Sequence, residues 1–451
     1  MDAKSLRELR PELDLFIDRY LPQFGREGNH QHATAFLHGL LAGGDRRNVE
    51  NIAEAIDGPP VRTLQKFIAQ SAWDDSQVLG ELRRHIIEVL GEEDGILVAD
   101  ETGFPKKGTK SVGVQRQYSG ILGRVDNCQV GVFLNYCSVH GHCLYDRRLF
   151  LPQSWTEDPE RCHEAGVPSG TVFRTKPELA LSMIEAAVRT QTPFRWVAGD
   201  SVYGDSPVFL QGVRALGKLY VMDVSESAHV WLENPAVTEK STGRGRPKSR
   251  PQSRPCSVAS VVATLPDSAW RRVVVAEGSQ GPRTYEYAEL IVWFSEERLP
   301  GQQPERLLIR RSLEQQPQVK YQRSNAPSKI PLQILAAVAG CRWTVEQDFQ
   351  CGKGECGLDE YETRGWVGWH HHTALSMLAL WFLALQKRRL GEKTSSDHGP
   401  RATRRTANVS ANASLGRGND HRVVAMETRK KSHRRRVPSP AKGKTPQAMS
   451  E

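Results

Sequence analysis

The stretch CRWTVEQDFQCGKGECGLDEY, Cys341–Tyr361, places charged residues at helical spacing beside apolar ones. At about 100° per residue, Glu346 lies roughly 40° and Lys353 roughly 20° around the helix from Arg342. One narrow stripe of the predicted helix therefore carries a positive, a negative and a second positive charge, and Phe349 falls on the same stripe. Such spacing is also typical of a solvated helix face with weak ion pairs.

Two short apolar runs upstream of this stretch each end in an aspartate. GILVAD ends at Asp100, and FRWVAGD ends at Asp200. Runs of this kind predict buried strands, and the carboxyl ends of strands in α/β sheets meet at the functional edge. Together with Glu346, the two aspartates would form a cluster of three carboxylates.

Three neighbouring carboxylates raise one another's pKa unless a cation compensates their charge. Mg²⁺ meets this need, because hard cations prefer carboxylate oxygens and keep water positions open for phosphates. Two such ions about 4 Å apart clamp the attacking and leaving oxygens of a phosphodiester displacement. Arg342 would then hold a flanking phosphate through its planar guanidinium, and Lys353 would hold one as a point charge.

The remaining segments predict helices and strands in a mixed order. Apolar residues at helical spacing predict helices before residue 92, and KPELALSMIEAAVRT (176–190) predicts another. CQVGVFLNYCSV and HCLYDRRLFL flank Gly141 and predict an antiparallel pair. Further strands are predicted in KLYVMDV, RRVVVA, YAELIVWF and RLLIRRS. TALSMLALWFLAL, at 373–385, is shorter than the roughly 20 residues that span a bilayer and predicts a buried core helix.

The formal net charge of +9 is concentrated at one end of the chain. Residues 391–451 hold 14 Lys and Arg against 5 Asp and Glu, whereas residues 1–390 hold 47 of each sign. The body must therefore bind any polyanion through local patches, and the tail is predicted to be a disordered electrostatic handle. Eight scattered cysteines and a start without an apolar signal core predict a reducing cytoplasm.

Three basic segments are candidates for contacts with DNA. In VRTLQKFIA (61–69) the apolar residues share one face, which leaves Arg62 and Lys66 free for DNA in a helix-turn-helix, although an ordinary helical hairpin explains the pattern equally well. KKGTK provides Lys106, Lys107 and Lys110 in a turn after the first strand, where a plain exposed turn is the alternative. RGRP, with Arg244 and Arg246, resembles an AT-hook core, but nonspecific phosphate contacts from a basic loop are favoured.

A histidine run invites a zinc hypothesis. His370, His371 and His372 accompany Cys351 and Cys356, but the C-x4-C spacing lacks a second pair. This spacing matches known zinc-binding patterns poorly, so buried thiols and hydrogen-bonded histidines near phosphate are favoured.

Five stretches together resemble bacterial insertion-sequence transposases of the DDE superfamily, in the branch whose third carboxylate lies in a Tyr-Arg-Glu-Lys element. They are VADETGFPKKGTKSVGVQRQYSG (98–120), NCQVGVFLNYCSVHGHCLYDRRLFLPQSW (127–155), AGVPSGTVFRTKPELAL (165–181), RWVAGDSVYGDSP (195–207) and the text from Arg342 to Leu380. The resemblance implies an α/β fold: an RNase H-like mixed sheet flanked by helices, interrupted by a β-rich insertion, with an all-helical N-terminal domain.

The resemblance also implies the site. Asp100, Asp200 and Glu346 would be the catalytic, metal-binding triad, with Mg²⁺ as cofactor and Mn²⁺ as a substitute. Arg342 and Lys353 would be the basic members of the element. Two positions depart from the family pattern. Ala339 stands where the tyrosine is expected, and Glu101 follows Asp100 where aspartate is commoner; strand alternation points Glu101 to the opposite face.

We predict six regions. They are a helical N-terminal DNA-binding domain (1–92), the first part of the catalytic core (93–236), a basic Pro/Arg-rich loop (237–256), the β-rich insertion (257–325), the C-terminal helices of the core (326–390) and a basic disordered tail (391–451).

By resemblance, the chain is expected to bind the terminal inverted repeats of an insertion sequence, cleave phosphodiester bonds at its ends and transfer the 3′-OH ends to target DNA. Double-stranded DNA would be the partner of a homodimer, in the bacterial cytoplasm and at the nucleoid when bound, without a membrane role. Two alternatives remain: an RNase H-like nuclease that does not join ends, and a non-catalytic DNA-binding regulator derived from a transposase.

Overall fold

The computed structural model describes residues 3–42, 44, 46–56, 58–119, 123–240, 248–278 and 281–396. The helices are α1 Ala3–Asp18, α2 Glu27–Leu41, α3 Val49–Ala55, α4 Val61–Ala69, α5 Asp75–Leu90, α6 Gln153–Thr156, α7 Pro159–Glu164, α8 Lys176–Arg189, α9 Ser201–Gly204, α10 Pro207–Ala215, α11 Val258–Val262, α12 Leu332–Cys356 and α13 Trp366–Ser396. The strands are β1 Ile96–Pro105, β2 Gln115–Ser119, β3 Arg124–Ser138, β4 Gly141–Phe150, β5 Trp196–Gly199, β6 Leu219–Val224, β7 His229–Trp231, β8 Val237–Lys240, β9 Lys248–Pro251, β10 Cys256–Ser257, β11 Arg271–Gly278, β12 Gly281–Glu296, β13 Leu299–Pro300, β14 Glu305–Arg311 and β15 Val319–Ser324.

Five strands form the part of the large sheet that carries the predicted aspartates. Their order is β4-β3-β1-β5-β6, in which β1, β5 and β6 run parallel and β3 and β4 run antiparallel to their neighbours. The apolar run at the start of β1 is buried on both faces, as a central strand between covering helices requires. The predicted RNase H-like mixed sheet is confirmed, and so are the antiparallel pair around Gly141 and the strand KLYVMDV.

β1 is longer than the sequence predicts. The parallel register with β5 ends at Ala99↔Gly199, but β1 continues beside β3 to the pair Pro105↔Cys128. The strand does not end at Asp100, because its antiparallel neighbour keeps supplying hydrogen bonds. Asp100 is instead the first residue beyond the pairing with β5.

The predicted β-rich insertion continues the same sheet. β15 pairs antiparallel with β6, and β14, β12, β7 and β10 follow in that order. The insertion has an apolar cluster that includes Val258, Val292 and Leu307, together with Val230 of β7, which precedes the predicted start of the insertion at residue 257. The segment 237–256 is not only a loop, because β8 and β9 pair within it.

The helices before β1 share one hydrophobic core with the long C-terminal helices. Phe16 packs against Phe382 of α13 with ring centroids 5.3 Å apart, and Trp73 stacks on His371 at 3.7 Å. The predicted core helix at 373–385 is confirmed, since α13 is buried from Gly368 to Phe382. In the ranges that the structure describes, no helix is long and apolar enough to cross a membrane.

Candidate active site

Asp100 and Asp200 lie near each other at the ends of the paired segments of β1 and β5. Asp200 is the N-cap of α9, and its Oδ1 accepts a hydrogen bond of 2.9 Å from the backbone N–H of Val202. The Oδ1 of Asp100 accepts one of 2.8 Å from the backbone N–H of Glu101. The end of a parallel strand pair therefore orients both carboxylates, as the sequence predicts.

Burial and mutual repulsion disfavour the charged forms of these two aspartates. Burial, followed by the charges of Asp200 and Glu101, raises the pKa of Asp100 to about 7. Burial and the charge of Glu101 raise the pKa of Asp200 to about 6. The pair consequently needs positive charge to remain ionised near neutral pH.

Arg342 of α12 is the cation that the chain places among these acids. Its Nη1 lies 3.7 Å from Asp100, its Nε 3.3 Å from Asp223, and its Nη2 2.8 Å from Glu346. Burial acts to lower the pKa of Arg342, but four surrounding carboxylates, led by Asp223, raise it overall. The guanidinium thus links a sheet aspartate to the predicted third acid.

The charged stripe of α12 faces the sheet for most of its length. The side chain of Arg342 is only 20% exposed, whereas that of Glu346 is 45% exposed. Lys353 donates a hydrogen bond of 2.9 Å to the carbonyl oxygen of Gly103, and burial lowers the pKa of Lys353 to about 8. Phe349 packs edge-to-face on Phe133 with ring centroids 5.3 Å apart. The interpretation of the stripe as a solvated helix face is therefore wrong.

Glu101 contacts other elements than Asp100 does. Its Oε1 accepts a hydrogen bond of 2.7 Å from Lys176 of α8, and its Oε2 accepts one of 2.9 Å from the hydroxyl of Tyr203. Asp100 instead lies beside α12. The two neighbours thus point to opposite faces of β1, as strand alternation predicts.

Asp223 is a fourth acid that the sequence analysis did not select. It lies near the end of β6, where Arg342 contacts its Oδ2 and the Nε2 of Gln322 donates a hydrogen bond of 2.8 Å to its Oδ1. A signal for it exists in the sequence, because KLYVMDV is a third apolar strand that carries an acid near its end. Asp223 contacts the Nε of Arg342, whereas Glu346 contacts its Nη2.

The other predicted basic residues lie in several places. Lys106 donates a hydrogen bond of 2.9 Å to the carbonyl oxygen of Tyr361, and burial lowers the pKa of Lys106 to about 8. Lys110 lies 3.7 Å from Glu164, and Lys107 is exposed. Arg62 and Lys66 are exposed on α4, opposite its buried residues. Arg244 and Arg246 lie outside the described residues.

The three consecutive histidines bind backbone carbonyl oxygens. His370 lies 2.8 Å from the oxygen of Trp366, His371 lies 2.9 Å from that of Ile68, and His372 lies 2.8 Å from that of Gly357. Burial lowers the pKa of His370 to about 3 and that of His372 to about 4. At least one ring nitrogen of each histidine is thus occupied by a hydrogen bond to the backbone, and these bonds help to hold the long C-terminal helix α13 in place.

The donor chemistry of the acid site fits a hard divalent ion. Asp100, Asp200 and Glu346 offer only carboxylate oxygens, and burial, followed by neighbouring negative charge, raises the pKa values of the two aspartates. Among the described residues, however, no group of three His, Cys, Asp or Glu side chains is already placed to hold a metal ion. Glu346 is instead bonded to Arg342, so it would have to change partner to complete a triad.

These pKa values predict a stability that falls with rising pH when divalent ions are absent. The ordinary carboxyl pKa is 3.8, but folded Asp100 and Asp200 keep their protons up to about pH 7 and about pH 6. The folded state binds more protons across this window, so stability is lost as the pH rises through it. We expect Asp100→Asn to raise the free energy of unfolding at pH 8 by roughly 1–3 kcal/mol, with little effect at pH 4. Urea denaturation in EDTA measures this difference.

The control for this pH effect is Asp94→Asn. Asp94 is exposed and pairs with Arg195 at the surface, so its substitution should change stability by less than about 0.5 kcal/mol at either pH. A loss of stability in Asp100→Asn at pH 8 would contradict the expectation. It would mean that Arg342 already compensates the ionised carboxylate.

The fold and the site together define a class: an RNase H-like sheet with a carboxylate centre suited to phosphodiester chemistry. The sequence model of the family described as DDE superfamily endonuclease matches residues 19–282, more than half of the chain, and the chain belongs to that family. The matched range contains Asp100 and Asp200 but ends before α12.

A curated relative is the probable transposase for insertion sequence element IS701 of Microchaete diplosiphon. It is 30% identical to this chain over 202 residues, which are 44% of this chain and 50% of that protein. The chain therefore spans about half the length of the curated relative that it matches.

Proposed function

We propose that the chain is a metal-dependent transposase that binds the terminal inverted repeats of an insertion sequence, cleaves the DNA at its ends and joins the 3′-OH ends to target DNA. The observation that carries this proposal is the buried pair Asp100 and Asp200, linked through Arg342 to Glu346. The relative's name and the family membership support the same function.

In this proposal Asp100, Asp200 and Glu346 hold the divalent ions. When bound, such ions activate the attacking oxygen and stabilise the leaving oxygen of the phosphodiester. Glu346 is half-exposed and would have to exchange Arg342 for the ions to join the aspartates, and Arg342 would then be available to bind a DNA phosphate through its guanidinium fork. The ammonium group of Lys353 on α12 stays bonded to the carbonyl oxygen of Gly103 on β1, and this bond fixes α12 against the strand.

We further propose that the six predicted regions act as separate functional parts. The exposed Arg62 and Lys66 of α4 contact DNA from the N-terminal helices, in the manner of a helix-turn-helix. The basic tail from residue 391 adds affinity that depends on salt but not on sequence. Two chains hold two element ends together, so the active species is a homodimer on DNA. We take Mg²⁺ as the resident ion and Mn²⁺ as its substitute.

The test is a cleavage assay on labelled duplex DNA that carries the element's own end. We expect nicking at the element boundary with Mg²⁺ and none with EDTA, because the carboxylates alone cannot activate water. A pre-cleaved end with a target plasmid should give joined products on a denaturing gel. Cutting without joining would reduce the proposal to a nuclease, and a retarded complex without metal-dependent cutting would reduce it to a DNA-binding factor.

A further inference from the structure

A small cavity lies beside Arg342, on the side away from Asp100. Its volume is about 260 Å³, and it lies between the first half of α12 and the sheet of the insertion. Its lining residues include Arg342 and Trp343 on α12, and Arg283, Tyr285, Arg310 and Lys320 on the strands. Since Arg342 also touches Asp100 and Glu346, the cavity begins one side chain away from the acids.

Strand register explains why these side chains meet. Arg310 is paired with Lys320 across β14 and β15, and Gln322 is paired with Asp223 across β15 and β6. Directly paired residues point to the same face of a sheet, so the cations of the insertion share a face with the acid of β6. The insertion therefore extends the face of the catalytic sheet rather than forming a remote module.

The charge of the cavity is strongly positive. Four cations line it, and its single acid, Asp223, is already bonded to Arg342 and Gln322. Arg283, Arg310 and Lys320 form no ion pair with any carboxylate whose side chain the structure describes. Neighbouring cations without counter-ions repel one another, so this arrangement is most stable with an anion bound.

Aromatic rings hold two of the guanidinium groups in place. Arg283 lies 4.1 Å from the ring centre of Trp343, and Arg310 lies 4.4 Å from the ring centre of Tyr285. Stacking keeps the planar donors oriented without neutralising their charge. The cavity is thus preorganised for an anion with several acceptor oxygens, and at about 260 Å³ it is smaller than the pockets that enclose drug-sized ligands.

We propose that this cavity binds one phosphodiester group of the DNA beside the cleaved bond, and that Tyr285 contributes a phenolic hydroxyl from the insertion. The proposal rests on the proposed function. Arg283, Arg310 and Lys320 donate hydrogen bonds to the phosphate oxygens, since guanidinium and ammonium groups bind phosphate through charge-assisted bonds. Tyr285 lines the cavity beside Arg310, so its hydroxyl is available to the same phosphate.

The experiment measures the affinity of the full-length protein for duplexes that carry the element's end with one phosphate at a time replaced by neutral methylphosphonate. In wild type we expect one position near the cleaved bond to weaken binding about tenfold to a hundredfold. The double variant Arg310→Gln with Lys320→Gln should bind the unmodified duplex more weakly by a similar factor. It should lose no further affinity when methylphosphonate replaces the phosphate at that position. Tyr285→Phe, which keeps the ring under Arg310, should show the same pattern with a smaller loss.

The control is Arg272→Gln, which removes one positive charge from the opposite face of the insertion. Arg272 is exposed and pairs with Glu286 at 3.5 Å, so the variant should keep the full wild-type sensitivity at that position. The subsite would be overturned if, in the cavity variants, the affinity lost through the substitutions and the affinity lost through methylphosphonate replacement simply add at every position. Absence of metal-dependent cleavage by wild type would instead overturn the proposed function, so the two failures are distinguishable. Thermal melts confirm that each variant is folded, and Tyr285→Phe tests the subsite should the double variant fail to fold.

Discussion

Replacing Asp100 or Asp200 by Asn, or Glu346 by Gln, is expected to lower cleavage of the element's end at least about 10³-fold while leaving end binding within about threefold. Each substitution keeps the shape of the side chain and removes one negative charge. Substitutions in residues that only support metal ligands cost about 10–100-fold, so loss of a ligand itself must cost more. Single-turnover cleavage under Mg²⁺ measures the effect, and a gel-shift assay in EDTA measures binding.

The matched control for Glu346 is Glu355→Gln on the same helix. Glu355 is exposed and lies 3.8 Å from Arg47, away from the aspartates, so its substitution should leave cleavage unchanged within about threefold. Persistent cleavage by Glu346→Gln would contradict the assignment of the third acid. Asp223 would then replace it, because Arg342 also contacts this residue at the same edge of the sheet.

The sequence could predict the parts of the site that depend on local patterns. Apolar runs that end in acids located Asp100 and Asp200, and helical periodicity placed Arg342 and Glu346 on one side of a helix that the structure confirms as α12. The predicted strands and helix are confirmed because burial of a strand or of one helix face fixes the residue spacing, whereas the roles of these residues stay predictions. The confirmed strands and core helix rest on the same signal.

The sequence could not predict which distant strands pair or in what register. Tyr285 and Asp223 are 62 positions apart, and only the pairing of β12, β14, β15 and β6 brings them to one cavity. The extension of β1 past Asp100 also depends on a partner strand, β3. Composition likewise predicted a loop over 237–256, because Arg, Ser and Pro are poor core formers, whereas β8 and β9 pair through their backbones. Such tertiary effects override local propensity.

The insertion is connected to the catalytic sheet through contacts of one buried carboxylate, and we call this set of contacts the joint. Glu305, 4% exposed at the start of β14, pairs with both Arg323 of β15 and Arg214 of α10. Its Oε2 also accepts a hydrogen bond of 2.8 Å from the hydroxyl of Tyr220 on β6. The insertion, the sheet and a covering helix therefore meet at a single charged group.

Glu305→Gln is expected to lower the free energy of unfolding by about 3–5 kcal/mol. The substitution removes one of the two carboxylates that pair with the buried guanidinium of Arg323 and leaves Glu296, at 3.0 Å, as the other. Loss of a carboxylate partner from a buried cation is costly. Glu314→Gln is the control, since Glu314 is exposed and its substitution should cost less than about 0.5 kcal/mol. Urea denaturation of both variants at pH 7 measures the difference.

Loss of the contacts of Glu305 should also weaken DNA binding. β14 and β15 carry Arg310, Lys320 and Gln322 on the face that continues to Asp223. A loosened joint lets these side chains move relative to Arg342, so we expect Glu305→Gln to weaken end binding as well as stability, whereas Glu314→Gln should change neither. A stability loss under about 1 kcal/mol would contradict the role of Glu305. The apolar cluster of the insertion would then hold the joint by itself, and the face beside the acids would be set by packing rather than by charge.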